Sequence, residues 1–105
     1  MISSLNIIDL PVIAVVVLNP NAASATAPAI AAFGCVVTDT GAGTWRVDFP
    51  QGFPLGSYVA AGIPNSGGTN AIITLTDGDA TTKFISTRLA DGTATDLNAF
   101  IIYYG

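Results

Sequence analysis

Turn signals divide most of this sequence into short apolar runs, and their spacing limits the folds that the chain can adopt. After residue 30, clusters of Gly, Pro, Asn and Asp recur about every 8–12 residues, as they do in sandwiches and barrels. Runs of this length match ordinary β-strands and are short for core helices. The helix formers Glu, Gln, Met, Lys and Arg are scarce or absent, whereas Thr is abundant. The sequence therefore predicts an all-β protein.

Alternation of apolar and polar residues predicts a single antiparallel, jelly-roll-like β-sandwich of seven or eight strands. The alternation is clearest in residues 44–49, where Trp45, Val47 and Phe49 share one face and Arg46 lies on the other. The two inner faces of a sandwich form its core, so these aromatic and aliphatic side chains are expected inside. The expected strands cover residues 12–18, 30–38, 44–49, 57–63, 70–76, 81–89 and 95–104.

The first 29 residues differ from the rest and predict an extended N-terminal arm and linker ahead of a sandwich over residues 30–105. The Val- and Ile-rich run at 12–18 favours a buried strand, and the Pro-punctuated stretch at 19–29 favours a linker. A cleaved signal peptide is disfavoured, because no basic residue precedes the run and Asp9 and Pro11 interrupt the segment. The run is also far shorter than the about 20 apolar residues of a membrane helix, so no membrane partner is expected.

The last predicted strand is apolar on both faces. Leu97, Ala99, Ile101 and Tyr103 fall on one face, and alternate residues from Phe100 onward fall on the other. A sandwich strand with one solvated face normally carries polar residues there, so the outer face must meet the arm, a neighbouring subunit or a larger partner. We expect an interface that involves Val12, Val15, Val17, Phe100, Ile102 and Tyr104.

Charge is sparse, which points to a protein covered by other chains. Only 10% of residues are charged, against about 25% in ordinary soluble domains, and the net charge is −4. The sixteen Ala residues and the aliphatic residues exceed what one small core can bury. Three scattered cations cannot form the basic stripe of a nucleic-acid-binding protein. We expect a homo-oligomer that binds no nucleic acid.

Catalytic and metal-binding residues are not predicted. The chain contains no His and no Glu, so it cannot form a Ser-His-Asp triad or a Cys-His catalytic pair. A single cysteine, Cys35, cannot by itself bind zinc. Cys35 lies in an apolar run and is expected to be a buried, unreactive thiol. Asp77 and Asp79 could bind calcium together with Asp91 or Asp96, but ordinary turn chemistry is the favoured interpretation. We therefore expect a non-enzymatic protein without cofactors.

Aromatic residues offer one further binding hypothesis. Trp45, Phe53, Tyr58, Tyr103 and Tyr104 could form a face on which sugars stack. Trp45 alternates in phase with core residues and is expected inside the protein. Tyr103 and Tyr104 are therefore the better candidates for ligand binding.

Several segments after residue 43 resemble a known class of modules. The segments are GTWRVDFP at 43–50, YVAA at 58–61, TTKFISTR at 81–88, DGTATD at 91–96 and AFIIYYG at 99–105. They resemble the small β-sandwich modules at the ends of tailed-phage fibres and in head-decoration or spike proteins. Such modules are typically jelly-roll-like, trimeric and non-enzymatic. The chain lacks the coiled coil or shaft repeats of long fibres, so the resemblance implies a short protein seated directly on a shell.

These expectations combine into one functional hypothesis and one alternative. The hypothesis is a structural virion protein, a decoration, cement or short spike subunit on a phage capsid. It docks on the major capsid protein or another shell protein through the apolar arm, and it forms a trimer through the C-terminal strand. The alternative is a carbohydrate- or receptor-binding β-sandwich module of a tail fibre.

Overall fold

A computed structural model of the chain describes residues 11–20, 29–52, 59–64 and 71–105. These residues form eight β-strands. In chain order the strands are β1 (Val12–Leu18), β2 (Ile30–Phe33), β3 (Val36–Gly41), β4 (Thr44–Asp48), β5 (Val59–Pro64), β6 (Ala71–Asp77), β7 (Thr82–Leu89) and β8 (Ala99–Tyr104).

The strands form two four-stranded sheets, and every strand pair is antiparallel. Sheet A has the order β2-β1-β8-β5, and sheet B has the order β3-β4-β7-β6. The all-β prediction is confirmed, as is the arrangement in two antiparallel sheets, which is sandwich-like. These pairings do not establish a jelly-roll connectivity.

The core lies between the two sheets and is built from alternate residues of the central strands. In β8 the inward residues are Ala99, Ile101 and Tyr103, and all are at most 1% exposed. The Tyr103 ring meets the Phe49 ring edge to face, with 4.9 Å between ring centroids. Burying each large apolar side chain contributes about 1.5–3 kcal/mol, so these positions hold the two sheets together. The other buried apolar residues are Ala14, Val16, Leu18, Trp45, Val47, Ile85 and Leu97.

The strand β1, predicted as a buried strand within the N-terminal arm, is an interior strand of sheet A. It pairs with β2 on one side and with β8 on the other. It therefore lies beside β8 within the sheet and does not cover the outer face of β8. In the rest of the predicted arm, residues 11, 19, 20 and 29 are described. Residues 1–10 and 21–28 lie outside the described residues.

The predicted strand at 30–38 is wrong in one respect, because the chain changes sheets within it. Residues 30–33 form β2 in sheet A, and β3 in sheet B begins at Val36. The break falls at Gly34, which has φ +78°. A Cβ atom there would collide with the Ile13 carbonyl oxygen, so glycine permits both the conformation and the close approach.

The connection from β7 to β8 is held by one buried hydroxyl. The Thr87 Oγ1 donates to the Thr95 carbonyl oxygen at 2.6 Å and accepts from the Leu97 backbone N–H at 3.3 Å. The predicted last strand at 95–104 therefore begins later, at Ala99. This connector carries Leu97 into the core, where it is 4% exposed.

Candidate interaction surfaces

The outer face of sheet A is apolar on all four strands, and we name it the apolar face. Strand alternation and register place eleven residues on it. The six residues that the sequence predicts as an interface all lie on this face. Its members are Val12, Val15, Val17, Ala31, Phe33, Val59, Ala61, Ile63, Phe100, Ile102 and Tyr104.

The register aligns these side chains in rows that cross the sheet. Val17 of β1 lies opposite Phe100 of β8, and Phe100 lies opposite Ile63 of β5. In the next row, Ile102 lies between Val15 and Ala61. The other neighbour of Val15 is Phe33 of β2, so this row crosses all four strands. Side chains directly opposite one another in neighbouring strands are in contact distance, so each row forms a continuous apolar ridge.

The apolar face is most exposed at its margins. Phe33 is 70% exposed and Ile63 is 59% exposed, and both lie on the edge strands of sheet A. Phe100, Ile102 and Tyr104, on an interior strand, are half-buried. Four strands about 4.8 Å apart, with about six residues each, span about 400 Å² of flat sheet. The largest apolar patch on a typical soluble monomer is about 300–600 Å² and is often functional.

The outer face of sheet B has a different character. It mixes Thr and Ser hydroxyls and the Arg46 and Asp48 side chains with three exposed apolar residues, Val36, Ile72 and Phe84. The Arg46 Nε lies 3.1 Å from the Asp48 Oδ2, and both side chains are partly exposed. The described part of the apolar face has no charged residue, so the two outer faces differ in the partners that they can accept.

The aspartates proposed for calcium bind backbone groups of the turns. The Asp79 Oδ1 accepts the Thr81 N–H at 2.9 Å, and this bond is the main reason that the Asp79 pKa lies below its usual value. The Thr93 N–H lowers the pKa of Asp91 in the same way. Among the described residues, no group of three metal-ligating side chains comes together.

Asp96 and Asp77 also have specific protein partners. The Asp96 Oδ1 accepts the Gly43 N–H at 2.6 Å and ties the β3–β4 hairpin to the β7–β8 connector. The Asp77 carboxylate accepts a hydrogen bond from the Lys83 ammonium group. These contacts support the turn interpretation of the aspartates over the calcium interpretation.

Lys83 is a buried cation that the sequence analysis did not single out. It is 4% exposed, and its Nζ donates to the Asp77 carboxylate and, at 2.5 Å, to the Asp79 carbonyl oxygen. A buried ammonium group is tolerated only where such acceptors surround it. Lys83 points inward because it alternates with Ile85 and Thr87 along β7. That two-residue spacing is the feature of the sequence from which its burial could have been predicted.

The aromatic candidates separate into different environments. Trp45 is 2% exposed, which confirms its predicted place in the core. Tyr103 is 1% exposed, so its ring offers no face to a ligand at the surface. Tyr104 is half-buried on the apolar face. The structure therefore does not unite Tyr103 and Tyr104 in one exposed aromatic site, and Phe53 and Tyr58 lie outside the described residues.

Cys35 lies where the chain passes from sheet A to sheet B. It is half-buried and packs against the core cluster. Burial raises the pKa of its thiol to about 11, because the apolar surroundings disfavour the thiolate. At neutral pH the side chain is therefore a protonated, weakly nucleophilic thiol.

Comparisons with protein-family models, curated proteins and solved structures found no match. Within the described ranges, no helix has the length and apolar character needed to cross a membrane.

Proposed function

We propose that this protein is a non-enzymatic structural subunit that assembles with other protein chains through the apolar face. One observation carries the proposal: eleven apolar or aromatic residues cover the outer side of sheet A without an intervening charge. A solvated sheet face normally carries polar residues, and the outer face of sheet B carries hydroxyl and charged residues among its apolar ones. A face of this composition is typical of a buried surface between subunits.

The energetics favour a partner that covers the whole face. Each 100 Å² of accessible apolar surface that a partner removes from water contributes about 2.5 kcal/mol. Association costs about 4–15 kcal/mol in lost translational and rotational freedom. One such face therefore supports a modest interface, and further contacts between subunits would strengthen it. This balance supports a repeated assembly in which each subunit makes several contacts.

The resemblance over residues 43–105 supports a phage virion as that assembly. In this proposal the protein is a decoration, cement or short spike subunit in the virion, bound to the major capsid protein or another shell protein. The finer parts of the proposal are a jelly-roll-like connectivity, a homotrimer and an N-terminal docking arm. The alternative of a receptor-binding site at Tyr103 and Tyr104 loses support, because Tyr103 is in the core.

A matched pair of isoleucine substitutions tests the assembly surface. Ile63 and Ile72 lie on edge strands of opposite sheets, both point outward, and they are 59% and 46% exposed. Because lysine cannot be buried without cost, Ile63→Lys should dissociate the oligomer, whereas Ile72→Lys should leave it intact. Sedimentation velocity at micromolar concentration measures both, and circular dichroism verifies the fold.

Two results would contradict the proposal. A wild-type protein that is monomeric at micromolar concentration would exclude self-assembly through the apolar face. Equal effects of Ile63→Lys and Ile72→Lys would show that the apolar face has no special role. Phe33→Lys, on the opposite edge of sheet A and 70% exposed, provides an independent repeat of the test.

A further inference from the structure

A trough crosses the outer face of sheet B, on the side of the molecule opposite the apolar face. Its floor is a row of three small hydroxyl residues, Thr44, Ser86 and Thr74, aligned across β4, β7 and β6. Phe84 borders the row on one side and Arg88 on the other, each two residues from Ser86 along β7. The trough has a volume of about 380 Å³.

The height of the side chains explains why a trough forms here. Alternate residues on a strand point the same way, so Phe84, Ser86 and Arg88 all point outward. The short Ser86 side chain leaves a depression between its two long neighbours. Outward rows along a strand are about 7 Å apart, and three strands span about 10 Å. A sugar ring is of this scale.

We infer that this trough binds a carbohydrate that carries a carboxylate, such as a uronic or sialic acid. Hydroxyl side chains can both donate and accept hydrogen bonds, as the hydroxyls of a sugar require. The Phe84 side chain, 40% exposed, supplies an aromatic surface against which the C–H face of a sugar can pack. Apolar surface with a few convergent polar groups is the usual composition of a ligand site.

Arg88 determines the charge of the ligand. It is the only charged residue among those lining the trough, so the described lining contains a guanidinium group and no carboxylate. The Arg88 Nη1 donates to the Gly92 carbonyl oxygen at 3.1 Å, which holds the guanidinium beside the trough. Guanidinium carries five N–H donors in a fork that matches a carboxylate, so donors remain for a ligand.

The experiment is a titration of the folded protein with defined sugars, followed by amide chemical shifts. The probes are galacturonic acid and N-acetylneuraminic acid, with neutral galactose as the comparison. The proposal predicts saturable shifts at residues of β4, β6 and β7 for an acidic sugar and weaker shifts for galactose. Absence of saturable shifts with both acidic sugars at millimolar concentration overturns it.

Three variants separate the roles of the trough residues. Arg88→Gln should weaken binding of the acidic sugar about tenfold, because it removes a charge-assisted hydrogen bond. Phe84→Ala should weaken acidic and neutral sugars alike. Arg46→Gln is the control on the same sheet face: Arg46 lies opposite Phe84 but outside the trough lining and is paired with Asp48, so its loss should weaken binding of the acidic sugar much less than Arg88→Gln does.

The pattern of losses decides the outcome. An equal loss with Arg46→Gln and Arg88→Gln would indicate attraction by overall charge and would overturn the site. An Arg88→Gln variant with unchanged affinity would overturn the carboxylate assignment. The trough and the apolar face lie on opposite sheets, so failure of either proposal leaves the other in place.

Discussion

At the scale of single residues, two glycines with similar backbone conformations differ in how tightly they are enclosed. Gly43 has φ +67°, and a Cβ atom there would collide with the Thr87 carbonyl oxygen and lie 2.7 Å from the Thr95 nitrogen. Gly92 has φ +92°, and nothing lies within 4 Å of the same position. We predict that Gly92→Ala lowers the free energy of unfolding by about 1 kcal/mol through backbone strain alone.

Gly43→Ala should cost more, about 3 kcal/mol, because a steric collision is added to the strain. Urea unfolding of the two variants measures the difference. Equal losses would show that the β3–β4 hairpin can move away from the β7–β8 connector without cost.

The Cys35 thiol should make the stability of the fold depend on pH in the alkaline range. Its thiol has a pKa of about 11 in the folded protein, against an ordinary value of 9.0. Below pH 9 both the folded and the unfolded states hold the proton, so the difference contributes no pH dependence there. Between about pH 9 and 11 only the unfolded thiol ionises, so the free energy of unfolding should fall across this window.

The same shift predicts slow alkylation of the folded protein. At pH 8 the thiolate fraction should be about a hundredfold lower than for an ordinary cysteine, and iodoacetamide should react correspondingly slowly. The urea-unfolded protein is the control and should react at the ordinary rate. Between about pH 9 and 11, the free energy of unfolding of the Cys35→Ala variant should fall less than that of the wild type. A folded thiol that reacts as fast as the unfolded one would contradict the assigned burial.

At the scale of strands, the sequence predicted those strands that can be recognised from their own residues and flanking turns. The segment 44–49 shows one apolar face and forms β4, and the segment 81–89, which lies between the turn signals at 77–79 and 91–92, forms β7; both strands have nearly the predicted bounds. The break at Gly34 was not predictable, because it depends on close approach to Ile13, which is distant in sequence. The late start of β8 was also not predictable, because residues 95–97 bond to the hydroxyl of Thr87 on another strand instead of continuing β8.

Because β1 is an interior strand of sheet A, removing it should destabilise the fold. Deleting residues 1–29 removes Ala14, Val16 and Leu18 from the core and leaves β2 without its strand partner in the described sheet. Domains of this size have only about 5–15 kcal/mol of stability, so we predict that the truncated protein does not fold cooperatively. Deleting residues 1–10 keeps β1 and its pairing with β2 and β8, so this variant is the comparison. Thermal unfolding followed by circular dichroism compares the two, and a cooperative transition for residues 30–105 would contradict the prediction.

At the scale of the whole molecule, the sequence predicted part of the candidate surface and missed the rest for a topological reason. The sequence predicted six of these residues because β1 and β8 are apolar on both faces: Val12, Val15, Val17, Phe100, Ile102 and Tyr104. The contributions of β2 and β5 were not predicted, because the sheet that a strand joins is decided by long-range pairing. The trough was missed for the same reason, since its floor requires three strands in a particular register.

The distribution of charge over the molecule gives the last prediction. The chain carries a net charge of −4, and none of the charged residues in the described ranges lies on the apolar face. Assembly through this face should therefore be driven by removal of apolar surface from water, a driving force that weakens on cooling. Sedimentation equilibrium should give a larger dissociation constant at about 5 °C than at about 25 °C, together with a negative heat-capacity change of association.

Salt provides the complementary measurement. Raising NaCl from about 0.05 to 0.5 M shortens the screening length several-fold, which weakens contacts between exposed charges. Because the apolar face has no charge to screen, its association should be unchanged or slightly tighter at high salt, once the repulsion between two negatively charged subunits is reduced. Dissociation at high salt would place the subunit contact on the charged outer face of sheet B, around Arg46 and Asp48. Temperature and salt together therefore distinguish the two faces of the sandwich without any substitution.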